Sequence, residues 1–532
     1  MKSLNELIHF LDVLDCDIDT QLHSDVNFDR AIALTNLQLD SRQLQPADVF
    51  IAIQGLTQHG LAYLQPALQA GVACVLTDRV LTQTEQACLN QQTVPPCVIV
   101  MDDLVTHLAT LANWYYDQPS QKLKVVGITG TNGKTSSAHY LVQLLLQLGQ
   151  QPALIGTLGN GLVSSNENLT LETALNTTPD VVSVHRLLHQ FYVQGANWVV
   201  MEVSSHALEL GRIEKVEFEA VALTQVTRDH LDFHGTEQAY RHAKSKLFTD
   251  YVSRAQVVNL DDSLVQTLME SGSLSNAFAY SIGVNQSAKL LGQNEQLNAT
   301  GIALDLVYQN QTQQACLNLM GKFNIENVLC AMSVVLASGF NWRDTVALLQ
   351  SLNSVSGRMQ KVANQPTVIV DFAHTPDALK QVLQALKQHV LKDGITEVNS
   401  DGNPEGNRGE WGKSSGKVVV VFGCGGDRDT GKRPLMANVA ENNAQSVVLT
   451  SDNPRFESPD KIIADTLKGF EHPERVTVIS NRQLAIESAL HNANPCDVIL
   501  IAGKGHERYQ DIAGIKHPFS DQQVVLDWIN QP

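Results

Sequence analysis

The chain has eight cysteines (Cys16, Cys74, Cys88, Cys97, Cys316, Cys330, Cys424 and Cys496) but no C-x-x-C spacing. A paired-cysteine metal site or a disulfide framework therefore has no foothold, and several of these residues lie inside apolar runs, as reduced buried thiols do. There is no H-E-x-x-H signature either, and zinc chemistry is disfavoured. No uncharged apolar run reaches the roughly 18 residues of a membrane span, and the N-terminal MKSLNELIHFLDVLD carries acids inside its apolar stretch. Neither integral membrane contact nor a signal peptide is expected, and a reducing cytoplasm fits the cysteine usage. Positive charge is scarce too: 37 Lys and Arg against 55 Asp and Glu leave a net charge of −18. A broad footprint for nucleic acid or anionic lipid is thereby excluded, and any bound phosphate must be held locally by backbone N–H groups, a few placed cations and a metal.

What is present suffices for real cores. Hydrophobic residues make up 43% of 532 residues, and at roughly 150 residues per domain the length suggests three or four domains. Residues 1–120 hold short β-like runs (Val49–Ile53, Ala73–Leu76, Cys97–Met101) and read as a small α/β domain. From 121 to 357, strands Val125–Ile128, Ala153–Ile155, Trp198–Val203 and Val221–Val226 alternate with helix-length segments, the pattern of a mostly parallel sheet. From 358 to 532, strands Thr367–Asp371, Lys417–Phe422, Ser446–Thr450 and Asp497–Ile501 predict a Rossmann-like, doubly wound domain. Residues 393–416, rich in Gly, Asn, Ser and charge, read as a surface insertion. The fold class expected is α/β, with a central phosphate-loop ATPase sheet.

The strongest motif is the apolar strand V-V-G-I-T running into Gly130-Thr131-Asn132-Gly133-Lys134-Thr135-Ser136. Glycines let backbone N–H groups wrap a phosphate, Lys134 neutralises β and γ oxygens, and the Thr135 hydroxyl can hold Mg²⁺. Strict phosphate-loop spacing asks for Gly at 128, where Ile stands. ATP or GTP binding follows. Ligands of open parallel sheets sit at the carboxyl ends of strands, so later polar clusters should converge. These are Asn176-Thr177-Thr178-Pro179-Asp180, then Glu202-Val203-Ser204-Ser205-His206, then the run from Thr227 through His230 to His234. Glu202 and His230 could supply oxygen and nitrogen ligands to Mg²⁺. His206 and His234 read equally as packing or as catalytic residues. Lys244, by composition, reads as an exposed helix lysine.

The C-terminal strands end in Asp371-Phe372-Ala373-His374, in Gly423-Cys424-Gly425-Gly426-Asp427-Arg428, in Asp452-Asn453-Pro454-Arg455, and in Gly503-Lys504-Gly505-His506-Glu507. Arg428 stands where a dinucleotide fingerprint needs Gly or Ala, which weakens an NAD reading. A rim of arginines, acids, a lysine and histidines suits a zwitterion, because arginine forks pair with carboxylates and acids pair with an ammonium.

The segments GITGTNGKTS (127–136), NTTPD (176–180), MEVSSHAL (201–208), TRDHLDFHG (227–235), GKFNIEN (321–327), DFAHTPDAL (371–379), GCGGDRDTGKRPLM (423–436), DNPR (452–455) and GKGHERYQ (503–510) resemble the ATP-dependent Mur ligases. That resemblance implies a UDP-binding N-terminal domain, a central ATPase and a C-terminal domain bringing the amino acid. It implies a monomer acting on ATP, UDP-N-acetylmuramoyl-L-alanyl-D-glutamate and meso-diaminopimelate, with Mg²⁺, through an acyl phosphate. It places Ser41 and Arg42 near uridine, and Thr177, Thr178, Ser204 and Arg212 on the muramoyl dipeptide. Asn324 and Asn327 match adenine contacts, with Arg358, Asp371 and His374 near the nucleotide. Lys244 matches the lysine that the family carbamylates, which would turn a cation that repels Mg²⁺ into an oxygen ligand beside Thr135, Glu202 and His230. Arg428, Asp452, Asn453, Pro454, Arg455, Gly503 and Glu507 match the diaminopimelate site, and the arginine of D-N-P-R is lacking in lysine-adding relatives. Lys134, Lys244, His206 and His230 are the candidate catalytic residues. Departures are Phe372 for a usual Tyr, Gln360 for a common acid, and the long 393–416 insertion. The rival readings are a relative adding lysine, D-Ala-D-Ala or glutamate, and a non-catalytic nucleotide-binding regulator.

Overall fold

The computed structural model describes all residues except 1, 15–17, 22–30, 56, 166–170, 173–175, 228, 275–276, 284, 286, 299–300, 391–415 and 531–532. Cys16 and nearly all of the 393–416 insertion thus lie outside the described residues. The protein is α/β and divides into two compact units, one of Met1–Thr131, Gly149–Gln256 and Thr267–Asn276, the other of Asn132–Leu148, Val257–Gln266 and Ala277–Pro532.

In the first unit a five-stranded sheet has the order Ile18–Gln21, Cys97–Met101, Cys74–Thr77, Val49–Ala52, Leu37–Gln38, parallel except for its first member. Alternate residues of its strands enter two cores. Val49, Ile51, Cys74, Leu76, Cys97 and Ile99 pack with the helices Leu4–Val13 and Leu104–Tyr115. Phe50, Ala52, Val75 and Val98 pack with Leu64–Ala70 on the other face. Two capping boxes, Ser3 with Glu6 and Thr82 with Glu85, fix where helices begin. The same unit also holds the order Phe218–Leu223, Lys124–Thr129, Trp198–Glu202, Pro152–Gly156, Gly159–Leu162, parallel but for the last pair. Val125, Val126, Ile128, Val199, Val200 and Met201 are fully buried, as parallel strands covered on both faces require.

The strand expected at Val221–Val226 runs instead over Phe218–Leu223. Its last expected residues leave the ladder because they serve the phosphate loop: the Thr131 N–H donates to the Gln225 carbonyl at 2.6 Å.

The second unit contains strands absent from the sequence reading. Leu290–Asn298, Gly301–Tyr308 and Gln311–Leu317 form an antiparallel meander joined to Phe278–Ile282. Its hairpin turns on Gln309 and Asn310, at φ 48° and 62°, a left-handed pair without the Asn-Gly signature that would have announced it. The C-terminal sheet has the order Gln360–Asn364, Thr367–Asp371, Val498–Ala502, Val418–Phe422, Ser446–Leu449, Thr477–Val478, parallel after its first pair. Ile369, Val420, Leu449 and Leu500 face the helices Pro376–Val390, Lys432–Asn443 and Pro459–Leu467, while Val370, Val421, Val448 and Ile501 face Arg482–His491 and Asp521–Ile529. Helices on both faces make it doubly wound, and its carboxyl ends gather the loops after 371, 422, 449 and 502 on one edge.

Leu383 is fully buried in the core under the Pro376–Val390 helix. Leu383→Ala should cost about 2–5 kcal/mol, read as a lower urea midpoint at unchanged slope.

Candidate functional site

The Lys124–Thr129 strand leads through four loop residues into the helix Lys134–Gln147. Ile128 is a strand residue, fully buried and paired with Glu202 and Ala222, so the turn cannot start there and Gly130 supplies it two residues on. At Gly130, φ is 151° and a Cβ would collide with the Thr224 hydroxyl, so only glycine fits. Gly133, at φ 86°, precedes the helix without a side-chain cap, which leaves the positive end of the helix dipole facing the loop. Asn132 is exposed, and Lys134, Thr135 and Ser136 are half-buried.

In the first unit, Thr131 ties neighbouring segments together. Its hydroxyl donates to the Thr227 carbonyl at 3.0 Å, accepts the Thr227 N–H at 2.9 Å and lies 2.8 Å from the Tyr240 hydroxyl. Lys244, on the helix Glu237–Thr249, is 1% exposed rather than solvated as composition suggests. Its ammonium donates to the Gly130 carbonyl at 2.7 Å and stands 4.7 Å from the centre of the Tyr240 ring. The i, i+4 spacing of Tyr240 and Lys244 was the available signal that both share one buried helix face.

Glu202 ends its strand with its carboxylate fully buried. Oε1 accepts the Thr157 N–H at 2.9 Å and Oε2 accepts the Thr157 hydroxyl at 3.2 Å. Gly156 makes room, since a Cβ there would strike Oε1. Thr178 donates to the Glu202 carbonyl at 2.8 Å and accepts the Ser204 N–H at 3.0 Å, and the Arg212 guanidinium donates to the Thr178 carbonyl at 3.0 Å. Thr177 lies 3.1 Å from the Thr157 hydroxyl. The expected residues Thr177, Thr178, Glu202, Ser204 and Arg212 are therefore one hydrogen-bonded group centred on Thr178, and Thr157, which no motif marked, links Thr177 to Glu202.

Three histidines cluster nearby in the sequence fold. The His206 ring centre is 4.9 Å from that of His230 and 5.6 Å from that of His234, with Phe233 at 4.2 Å. Burial, and then the neighbouring imidazoles, push His206 below the ordinary histidine value; burial does the same to His234, whose Nε2 lies 3.0 Å from the Ser205 hydroxyl. His230 sits at φ 49° with its N–H on the Asp229 carboxylate. Ser41 and Arg42 lie on a short 3-10 turn, where Arg42, 78% exposed, forks onto Asp40 at 2.9 and 2.8 Å. Among the described residues, no three His, Cys, Asp or Glu side chains form a closed metal-binding group.

In the second unit, Asn324 and Asn327 are buried on the helix Phe323–Ala337. The Asn324 carbonyl oxygen accepts the Tyr140 hydroxyl at 3.0 Å and the Asn327 amide at 3.1 Å, and its own amide donates to the Met320 carbonyl at 2.7 Å. Their polar atoms brace the phosphate-loop helix. Asp371 is buried and accepts the N–H groups of Met359 and Ala373, both at 2.7 Å. Burial raises its pKa, against the pull of those bonds and of Arg358. Phe372 lies 5.4 Å from the Arg358 guanidinium and packs on His374 and His506, and Gln360 accepts the Gly357 N–H at 2.9 Å, so both departures from the family pattern have structural work.

The remaining group lies at the carboxyl edge of the C-terminal sheet. Asn453 donates to Glu507 at 2.8 Å and accepts from the Lys504 ammonium at 2.9 Å and the Asp511 N–H at 2.9 Å. Lys504, fully buried, also reaches Glu507 at 3.1 Å. Arg455 adopts φ 50°, its N–H bound to the Asp511 carbonyl, and its guanidinium donates to the Gly426 carbonyl at 2.7 Å. Arg428 is exposed, and Pro454 is buried between these partners. Asp452 is 8% exposed, and a Cβ on Gly503 would approach its Oδ2 to 2.5 Å. The hairpin Tyr509–Ile512 with Ile515–Pro518, which supplies Asp511, was not read from the sequence. The edge thus brings Arg455 and Lys504 together with Asp452 and Glu507, charges of both signs such as a zwitterion could pair with.

Comparison with known proteins identifies the family. The description "Mur ligase middle domain" matches residues 128–335, and "Mur ligase, glutamate ligase domain" matches 357–398 and 408–505. A UDP-N-acetylmuramoyl-L-alanyl-D-glutamate--2,6-diaminopimelate ligase of Xylella fastidiosa is 39% identical over 512 residues, covering 95% of this chain and 96% of its own. The Haemophilus ducreyi enzyme of the same name is 39% identical over 519 residues, covering 94% and 97%. A solved structure with that name superposes at a TM-score of 0.68 with 31% identity, covering 99% of both chains. A D-alanyl-D-alanyl-adding ligase of Acinetobacter baumannii, at 0.63 and 15% identity over 99% and 98%, shares the fold. On these matches, which span the phosphate loop and the C-terminal edge alike, the chain belongs to the Mur ligase family of ATP-dependent, amide-forming enzymes.

Proposed function

We propose that this chain joins meso-diaminopimelate to UDP-N-acetylmuramoyl-L-alanyl-D-glutamate in peptidoglycan precursor synthesis, as a cytoplasmic monomer. The observation that carries the reading is the D-N-P-R loop, where Arg455 is oriented by its φ of 50° and its bond to Gly426, beside Asp452 and Glu507. Relatives bearing that activity in their names, 39% identical across nearly their whole length, support it. In this reading residues 1–120 hold the UDP portion through Ser41 and Arg42, 121–357 handle ATP and the dipeptide, and 358–532 bring the amino acid.

A D-glutamyl carboxylate oxygen takes the γ-phosphoryl group of ATP as its bond to the β-phosphate oxygen breaks and ADP leaves, a step needed because a free carboxylate is a poor electrophile. Lys134 spreads charge over the transferred phosphoryl group. The amine of diaminopimelate then attacks the acyl carbon, the C–N bond forms and phosphate leaves. Mg²⁺, when bound, would neutralise phosphate charge, and the hard oxygens of Thr135 and Glu202, with His230 and a carbamate on Lys244, suit it. Thr177, Thr178, Ser204 and Arg212 hold the dipeptide, and Arg428, Asp452, Asn453, Arg455 and Glu507 hold the incoming amino acid.

Diaminopimelate differs from lysine by one carboxylate, which would leave an arginine fork unpaired if lysine bound. Incorporation from ATP, Mg²⁺ and the UDP-muramoyl dipeptide should favour diaminopimelate over lysine by about three to four orders of magnitude in kcat/KM. Equal incorporation would reject the assignment, and Arg455→Ala should erase most of the preference. Lys244→Ala should lower turnover by about 100-fold or more, with partial recovery in added formate or acetate if its role is that of a carboxylate-like ligand. His206→Ala and His230→Ala should each slow turnover; unchanged rates in both would remove the histidines from the reaction.

A further inference from the structure

Arg482 is fully buried at the first position of the helix Arg482–His491, where the helix dipole disfavours a cation. Something must hold it there, and the structure shows what. Asp521, itself fully buried and first in the helix Asp521–Ile529, takes a two-pronged bond: Nε donates to Oδ1 and Nη2 to Oδ2, both at 2.7 Å. The other guanidinium donors turn to two strand ends. Nη2 reaches the Ala502 carbonyl at 3.0 Å and Nη1 reaches the Ser451 carbonyl at 3.3 Å. Those strands, Val498–Ala502 and Ser446–Leu449, are not neighbours in the sheet, because Val418–Phe422 lies between them. Each pairs with that middle strand as far as Phe422, opposite Ala502 and Leu449; past those last rungs the guanidinium joins the two tips directly, in addition to the bonds of Asn453 to Lys504 and Glu507.

The next residues along the chain are Gly503 and Asp452. Nη1 also stands 3.9 Å from Asp452 Oδ2, too far for a hydrogen bond, since Asp521 has already taken the fork. We propose that Arg482, charge-balanced by Asp521, is a positioning residue for the amino acid substrate, fixing the separation of the Asp452–Arg455 and Gly503–Glu507 loops while leaving the Asp452 carboxylate to pair with the substrate ammonium. The proposal rests on the assignment of these loops to diaminopimelate. It distinguishes Arg482 from Arg433, the other fully buried arginine of this sheet edge, whose donors go to Glu457, Asp465 and the Gly425 carbonyl and which spans no two of these loops.

The test is steady-state kinetics on the full chain, varying each of the three substrates in turn, with the thermal midpoint recorded for every variant. Arg482→Lys keeps the charge but cannot grip Asp521 and both carbonyls together, so KM for diaminopimelate should rise about tenfold or more while KM for ATP and for the UDP-muramoyl dipeptide stays within about twofold. Asp521→Asn should move the same constant in the same direction, because the released guanidinium turns to Asp452 and competes with the substrate. A folded Arg482→Lys enzyme with unchanged KM for diaminopimelate overturns the proposal. So does a rise shared equally by all three substrates alongside a lowered midpoint, which is the signature of a purely structural arginine. Arg455→Ala is run beside them: if it leaves KM for diaminopimelate unchanged, the loop assignment fails and the positioning role falls with it. If it raises KM where Arg482→Lys does not, the positioning role alone falls.

Discussion

A parallel ladder returns the chain to the same end of the sheet after every crossover, so its loops divide into two sets, and the set at the carboxyl ends emerges where several strands stop together. In this protein that constraint decides where chemistry can sit. The phosphate loop follows one parallel strand, Glu202 ends another, and the Asp371, Asp452 and Gly503 segments leave parallel strands of the C-terminal sheet. Sheet interiors are nearly uniform in Val, Ile, Leu and Ala, which leaves the polar residues concentrated at these ends.

Charge is handled at the same places. Lys244, Arg433, Arg482 and Lys504 are buried cations in a chain of net charge −18, and each is matched by carboxylates or carbonyls: Gly130 for Lys244, Glu457 and Asp465 for Arg433, Asp521 for Arg482, Asn453 and Glu507 for Lys504. Buried ion pairs add little net stability against apolar packing, but removing one partner is severe because the other charge is stranded. Such groups are better understood as geometry than as glue. They hold loop tips that the ladder does not reach.

Much of this was legible in the chain itself. The alternation of apolar runs with helix-length segments gave the α/β class and the strand ends, and G-T-N-G-K-T, N-T-T-P-D and D-N-P-R marked loops that do lie at those ends. Three things escaped. The antiparallel meander at 290–317 escaped because its outer strands, Leu290–Asn298 and Gln311–Leu317, are rich in Gln and Asn and a turn between strands uses Gln309-Asn310. The burial of Lys244 escaped composition, which reads it as a solvated residue of a polar helix, although the family resemblance marks the residue and its spacing from Tyr240 puts both on one face. Thr157, Arg482 and Asp521 carry no motif, because a residue that braces a loop from behind is defined by partners distant in sequence.

The fit of Gly503 against Asp452 has a consequence for how such a chain can drift. A side chain at 503, already strained at φ 118°, would also push the Asp452 carboxylate oxygen from its place. The two positions are 51 residues apart, yet neither can be altered without moving what the other faces. Divergence at this edge is therefore a paired event, in which the loss of a glycine on one strand end is felt as a displaced carboxylate on another.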